Sequence, residues 1–259
     1  MSAALHRSQA IESLRRQLRA NRPVSAEASV IGTGLAALDD ILPGGGLPPG
    51  SVIEWISDGP GQSATSLALR CAASFLSKPG CLAVIDEGRE FFPASLEAHG
   101  IPLARLLLVR ANARSINLMQ EKKTGRRRTA AQDSSQTLTD RELHSQSLWA
   151  LEQAARCRGV AVVLSWLDRC SSAVVRRLQL ATENSGVTVM LMRPASSLKQ
   201  PSFADLRLHV ASLSAPGRLP AQRTLRISLL KSRQKIQAAA TAVVHQNCHD
   251  QFCSTQKTT

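Results

Sequence analysis

The chain has no tyrosine, and aromatic residues make up 3% of its 259 positions. Single-stranded bases stack on rows of aromatic faces, so a stacking platform is not expected and any contact with nucleic acid should run through phosphates. No lysine precedes Lys78. That absence matters wherever a lysine would be needed early in the chain. Nowhere do about 18 apolar residues run together, and no secretory pattern opens the sequence. A soluble, cytoplasmic protein with no membrane partner is the expectation. The six cysteines (Cys71, Cys81, Cys157, Cys170, Cys248 and Cys253) are scattered rather than clustered. They read as reduced core thiols, not as a disulfide framework.

Acidic residues are also scarce: 19 against 32 Lys and Arg, a net charge of +13. The excess is uneven. From Arg193 onward there are ten Lys/Arg and two Asp, so the last quarter carries +8. A polyanionic partner, nucleic acid first, is one reading; a generally soluble basic surface is the other.

The most informative stretch is residues 31–66, IGTGLAALDDILPGGGLPPGSVIEWISDGPGQSATS. A turn at Gly32-Thr33-Gly34 leads to an amphipathic segment with Leu35, Leu38, Ile41 and Leu42. Three glycines and Leu47-Pro48-Pro49-Gly50 follow, then an apolar run at 52–56, a Gly-rich loop at 59–63 and a helical pattern over 66–76. Strand, Gly-rich loop, helix is the layout in which backbone N–H groups and a helix N-terminus attract phosphate. The loop departs from the G-x-x-x-x-G-K-[ST] pattern. In the best frame the first glycine, Gly59, and the final hydroxyl, Ser66, remain, with Gly61 between them, but Ala64 stands at the second glycine and Thr65 at the lysine. A Cβ replaces open backbone, and no ammonium is supplied to the β/γ-phosphates.

The stretch resembles the RecA family: Thr33-Gly34, then Leu38-Asp39, then Gly45-Gly46-Leu47-Pro48-Pro49-Gly50, then a strand carrying Glu54. The resemblance covers about residues 30–232. It implies a RecA-like P-loop α/β fold: a mostly parallel sheet flanked by helices, with an antiparallel edge. Three parts are expected: an N-terminal helix and linker at 1–30, the core at 31–232 with an inserted polar loop at about 121–146, and a disordered basic tail at 233–259.

Residues 5–20 read as a helix with Ile11, Leu14 and Leu18 in a stripe flanked by Arg15, Arg16 and Arg19. It suits docking on its own core or on a neighbouring protomer, as in RecA filaments. The second strand, 81–86, ends at Asp86. The family's catalytic carboxylate falls two positions later, where this chain has Gly88; Glu87 and Glu90 are displaced candidates, and Asp86 is a third. A third strand is expected at 105–110. The insertion carries Arg126, Arg127 and Arg128, as a solvated loop or a phosphate-contacting flap. The fourth strand, 160–164, ends in Ser165-Trp166 where the family has a magnesium-side Asp; Asp168 comes later. A helix is expected at 171–183 with Ser171 or Ser172 capping it and Val174, Val175, Leu178 and Leu180 facing the core. The fifth strand, 187–192, leads to Arg193 and Lys199 in a shortened version of the family's DNA-binding loops. Residues 204–213 and 223–230 alternate like an antiparallel edge pair. Lys231, Arg233 and Lys235 add charge after it. His245, Cys248, His249 and Cys253 are zinc-ligand types at a spacing that matches no common module.

Lysine, metal-side Asp and catalytic carboxylate are all replaced or displaced, and phosphoryl transfer depends on such placed charge. Among RecA relatives this pattern resembles the ImuA group. That resemblance implies a non-catalytic accessory factor of SOS-inducible translesion synthesis and DNA repair. It would need no cofactor and would bind DNA (single-stranded DNA above all), RecA and an inactive Y-family polymerase homologue. Two alternatives stay open: a weak DNA-dependent ATPase using Ser66 with Asp86 or Glu87, and a cell-division inhibitor resembling SulA.

Overall fold

A computed structural model of the chain describes residues 30–59, 61–77, 79–111, 132–213, 222–233, 240–247 and 251–254. Its centre is one nine-stranded sheet. The strands are β1 (Val52–Ser57), β2 (Cys81–Ile85), β3 (Leu106–Val109), β4 (Val160–Trp166), β5 (Thr188–Pro194), β6 (Leu206–Ser212), β7 (Gln222–Ser232), β8 (Ala240–Asn247) and β9 (Phe252–Ser254). Their spatial order is β3-β2-β4-β5-β1-β6-β7-β8-β9. Pairings from β3 through to β6 are parallel, and those from β6 to β9 are antiparallel. The helices are α1 (Ala36–Asp39), α2 (Ala64–Phe75), α3 (Gln132–Arg156) and α4 (Ser172–Ser185). The architecture is thus α/β, with helices on both faces of a mostly parallel sheet and an antiparallel side.

The central strands read as near-continuous apolar runs because both of their faces are buried. Along β4, Val162 and Leu164 join the core under α2, whereas Val163 joins the core under α3 and α4. In β1, Ile53 and Trp55 take the α2 side and Val52 the other. Each fully buried Leu, Ile or Val contributes about 1.5–3 kcal/mol of apolar transfer. Helix α4 starts where Ser171 Oγ accepts from Val174 N, and it stops at Gly186, whose φ of 80° suits a residue without a Cβ.

Several expectations need correction. The tail is not wholly irregular, because β8 and β9 extend the sheet. In β8, Ala242, Val244 and Gln246 are buried, a period of two that pairs with the long β7. The pair β6 and β7 therefore lies inside the sheet and not at its edge. The polar stretch expected to loop as far as 146 is helical from Gln132 onward. Leu180 is 44% exposed and does not face the core. The expected N-terminal helix lies outside the described residues. Among the described residues no helix is long and apolar enough to cross a membrane.

Candidate functional site

Parallel strands bring their carboxyl ends to one side of the sheet, where ligand clefts of open α/β proteins form. Here a cleft of about 1010 Å³ lies there. One wall is the loop from β1 to α2, with Gly59, Gly61, Gln62 and Ser63 leading into Ala64, Thr65 and Ser66. Across it lie Glu90, Phe92, Trp166, Asp168 and Arg193.

The loop turns by left-handed backbone at Gly61 (φ 75°) and at Ser63 (φ 60°). For serine this conformation is uncommon. Ser63 O accepts the first bond of α2, from Leu67 N at 3.0 Å. The N–H groups of Ala64, Thr65 and Ser66 precede that bond and have no intrahelical acceptor. They carry the partial positive charge of the helix end. The Ala64 methyl is buried in the core, with 4% of the residue exposed. So the position of the second glycine is packed, not open.

The loop is tied to the antiparallel side of the sheet. Asp58 Oδ1 meets His209 Nε2 at 2.9 Å, Ser212 N donates to Gln62 Oε1 at 2.7 Å, and Arg223 Nη1 donates to Gly61 O at 2.8 Å. These three ties hold both ends of the loop. Arg223 also brings a guanidinium to the cleft rim, although it is engaged with the loop carbonyl. The sequence hid this: Arg223 belongs to a strand pattern 162 residues downstream of Gly61, and only the pairing of β1 with β6 and of β6 with β7 brings it near.

Arg193, expected to reach DNA, is buried, with 4% exposed. Its Nη1 donates to Leu167 O at 2.5 Å and its Nη2 to Gln200 Oε1 at 3.2 Å, while its Nε has no partner. It braces the ends of β4 and β5. Asp86 does not line the cleft. Its buried carboxylate accepts from Glu90 N (3.0 Å), Phe91 N (3.3 Å) and Arg110 Nε (2.8 Å), so it orders the turn after β2. Glu87 does not line the cleft either; it meets His144 Nδ1 of α3 at 3.1 Å. The carboxylates that do line it are Glu90 and Asp168.

Of the other basic candidates, Lys199 is exposed. Lys231 donates to Ser202 O at 2.6 Å, and burial pulls its pKa down. Arg233 is bound to Glu183 and, at 2.9 Å, to Asp205. Burial pulls its pKa down, but those hydrogen bonds outweigh it and hold the value above the ordinary one. Arg15, Arg16, Arg19, Arg126, Arg127, Arg128, Lys235, Cys248 and His249 lie outside the described residues. The antiparallel pairing sets His245 opposite Cys253, and His245 Nδ1 lies 3.1 Å from Thr224 Oγ1. Among the described residues no three metal-ligating side chains come together.

The cleft residues fit an anion through the N–H groups at 64–66 and the Ser66 hydroxyl. They do not complete a triphosphate site: Thr65 supplies no cation, and both guanidiniums are engaged with protein oxygens. No protein-family model matches the chain, and no curated protein matches it.

Proposed function

We propose that the chain is a RecA-like protein of the ImuA type, a non-catalytic accessory factor in SOS-inducible translesion synthesis. In this reading it binds single-stranded DNA, RecA and an inactive polymerase homologue. The observation that carries it is the state of the loop at 59–66. It keeps the position of a nucleotide loop, at the carboxyl end of β1 and the start of α2. Yet Ala64 is packed into the core, Thr65 replaces the lysine, and Arg223 clamps the Gly61 carbonyl. A loop fixed in this way favours a scaffold over a phosphate-driven switch.

The test pairs two measurements on the purified chain. Titration with fluorescent ATP and magnesium should give no saturable binding, with or without single-stranded DNA. Pull-downs should retain DNA, RecA or the polymerase homologue. Failure to retain all three would refute the reading.

One observation favours a second reading, a weak ATPase. Ser66, Glu90 and Asp168 line one cleft, so a hydroxyl and two carboxylates face the same space. Saturable ATP binding with turnover lost in Glu90→Gln would put this reading first.

A further inference from the structure

At the opposite end of the sheet from the cleft, α3 and α4 finish side by side. Between them lies a shallow hollow of about 490 Å³, lined by Arg156, Arg158, Arg177, Leu180 and Asn184, with no acidic residue in its lining. Arg156 and Arg158 are exposed. Arg177 is held at 2.7 Å by Glu152 of α3, and Ser185 Oγ donates to Ala155 O at 2.7 Å. Both helix ends are therefore fixed, and the three guanidiniums are carried on a rigid frame. A helix C-terminus attracts a cation, which accounts for Arg156 in the last turn of α3. It does not account for Arg158, beyond that helix, whereas Arg177 is accounted for by Glu152.

Two turns back along α3 stands Trp149, 66% exposed. Seven residues before Arg156, it lies on the same face of the helix, about 10 Å away along the axis. Gln153, exposed between them, continues the stripe. Large exposed aromatics are scarce among the described residues: besides Trp149 only Phe92 and Phe203 stand out. An indole face takes a base of any identity, while guanidiniums take phosphate oxygens. A duplex hides its bases; a single strand offers both groups at once.

We propose that this face of α3 and α4 is a binding surface for single-stranded nucleic acid, with Trp149 stacking on a base and Arg156 and Arg158 holding the adjoining phosphates, while Arg177 stays paired with Glu152. The inference rests on the nucleic-acid part of the function proposed above. It places that contact at the amino ends of β4 and β5, away from Arg193 and Lys199.

The test is fluorescence anisotropy with a labelled oligo-dT and a labelled hairpin duplex over a range of salt. The variants are Arg156→Glu/Arg158→Glu, Trp149→Ala and, as control, Lys199→Glu, each checked for an unchanged melting temperature. The double reversal should weaken oligo-dT binding at least about tenfold and flatten the log–log salt slope by about 1.4, for two phosphates on a single strand. Trp149→Ala should weaken oligo-dT about fivefold or more and leave the duplex unchanged, which a merely structural role would not do. Lys199→Glu should have the smaller effect. Wild-type affinity in both α3 variants would overturn the surface while leaving DNA binding intact. No oligo-dT binding by the unaltered chain would also overturn it; retention of RecA or the polymerase homologue would then leave the accessory reading standing as a protein adaptor.

Discussion

The pairing of β1 with β6 sets Glu54 directly beside Arg207, and the perturbation of choice is Glu54→Gln. Glu54 Oε2 accepts from Arg207 Nε at 2.7 Å, and its Oε1 accepts from Ser202 Oγ at 2.8 Å. Both side chains are nearly closed to water, at 2% and 10% exposed. Arg207 also donates to Ser197 O at 2.7 Å and to Gln200 O at 3.2 Å, so it pins the turn after β5. Glutamine keeps the shape but removes the charge, leaving a buried guanidinium without a counter-ion. Breaking such a pair costs about 3–5 kcal/mol. The two carbonyls still receive Arg207, which argues for the lower end, about 3 kcal/mol. For a domain of this size that is a fall in melting temperature of about 6–12 °C. Thermal and urea denaturation followed by circular dichroism would read it. Glu54→Met/Arg207→Leu should recover part of the loss, because an apolar pair avoids the desolvation that the ions bear. A Glu54→Gln protein within about 1 kcal/mol of the wild type would refute the reasoning, since the pair would then be screened by water the structure does not admit.

Four further outcomes are expected. Cys71 sits wholly buried in α2, and burial pushes its thiol far above the ordinary 9.0; iodoacetamide mapping should label Cys157 and Cys253 in the folded chain and Cys71 only after unfolding. Because the folded pKa is the raised one, the unfolded chain loses this proton first, so stability should fall as pH rises above about 9, and Cys71→Ala should flatten that fall in melting experiments. In Gly46→Ala the new Cβ would meet Ile31 O at 2.6 Å and break the Ile31–Leu47 bridge, at a cost of about 1–3 kcal/mol read by urea denaturation. On the proposed reading, Ala64→Gly/Thr65→Lys should give tighter ATP binding than the unaltered chain in a fluorescence titration.

The parallel core was legible because its signal is local. Runs such as Val160 to Leu164 and Val187 to Met192 are apolar on both faces, and glycines and prolines bound them. What failed was what depends on a distant partner. Residues 240–247 alternate only weakly, and buried Gln246 breaks the apolar pattern; the strand is specified by the length of β7 alongside it. The part of α3 before Leu148 hid for a related reason, whereas residues 148–156 read as helix from the sequence. The apolar residues Leu151, Ala154 and Ala155 come late, so the polar residues before them show no apolar stripe.

The charge count misled for a physical reason that also bears on function. Net charge says how many cations a chain has, not how many are free. In the last quarter, Arg193, Arg207, Lys231 and Arg233 each donate to protein oxygens, and Arg193 and Arg207 are buried. These groups hold the turn after β5 and the start of β6. A phosphate backbone would have to displace existing hydrogen bonds to use them. The arginines around the α3–α4 hollow differ, because Arg156 and Arg158 enter solvent with no carboxylate in the lining of the hollow. A dispersed pair at 156 and 158 draws no attention in a sequence beside a run such as 126–128. Among the described residues, the cations that stand out in the tail are mostly engaged, while Arg156 and Arg158 stand exposed where two helices end.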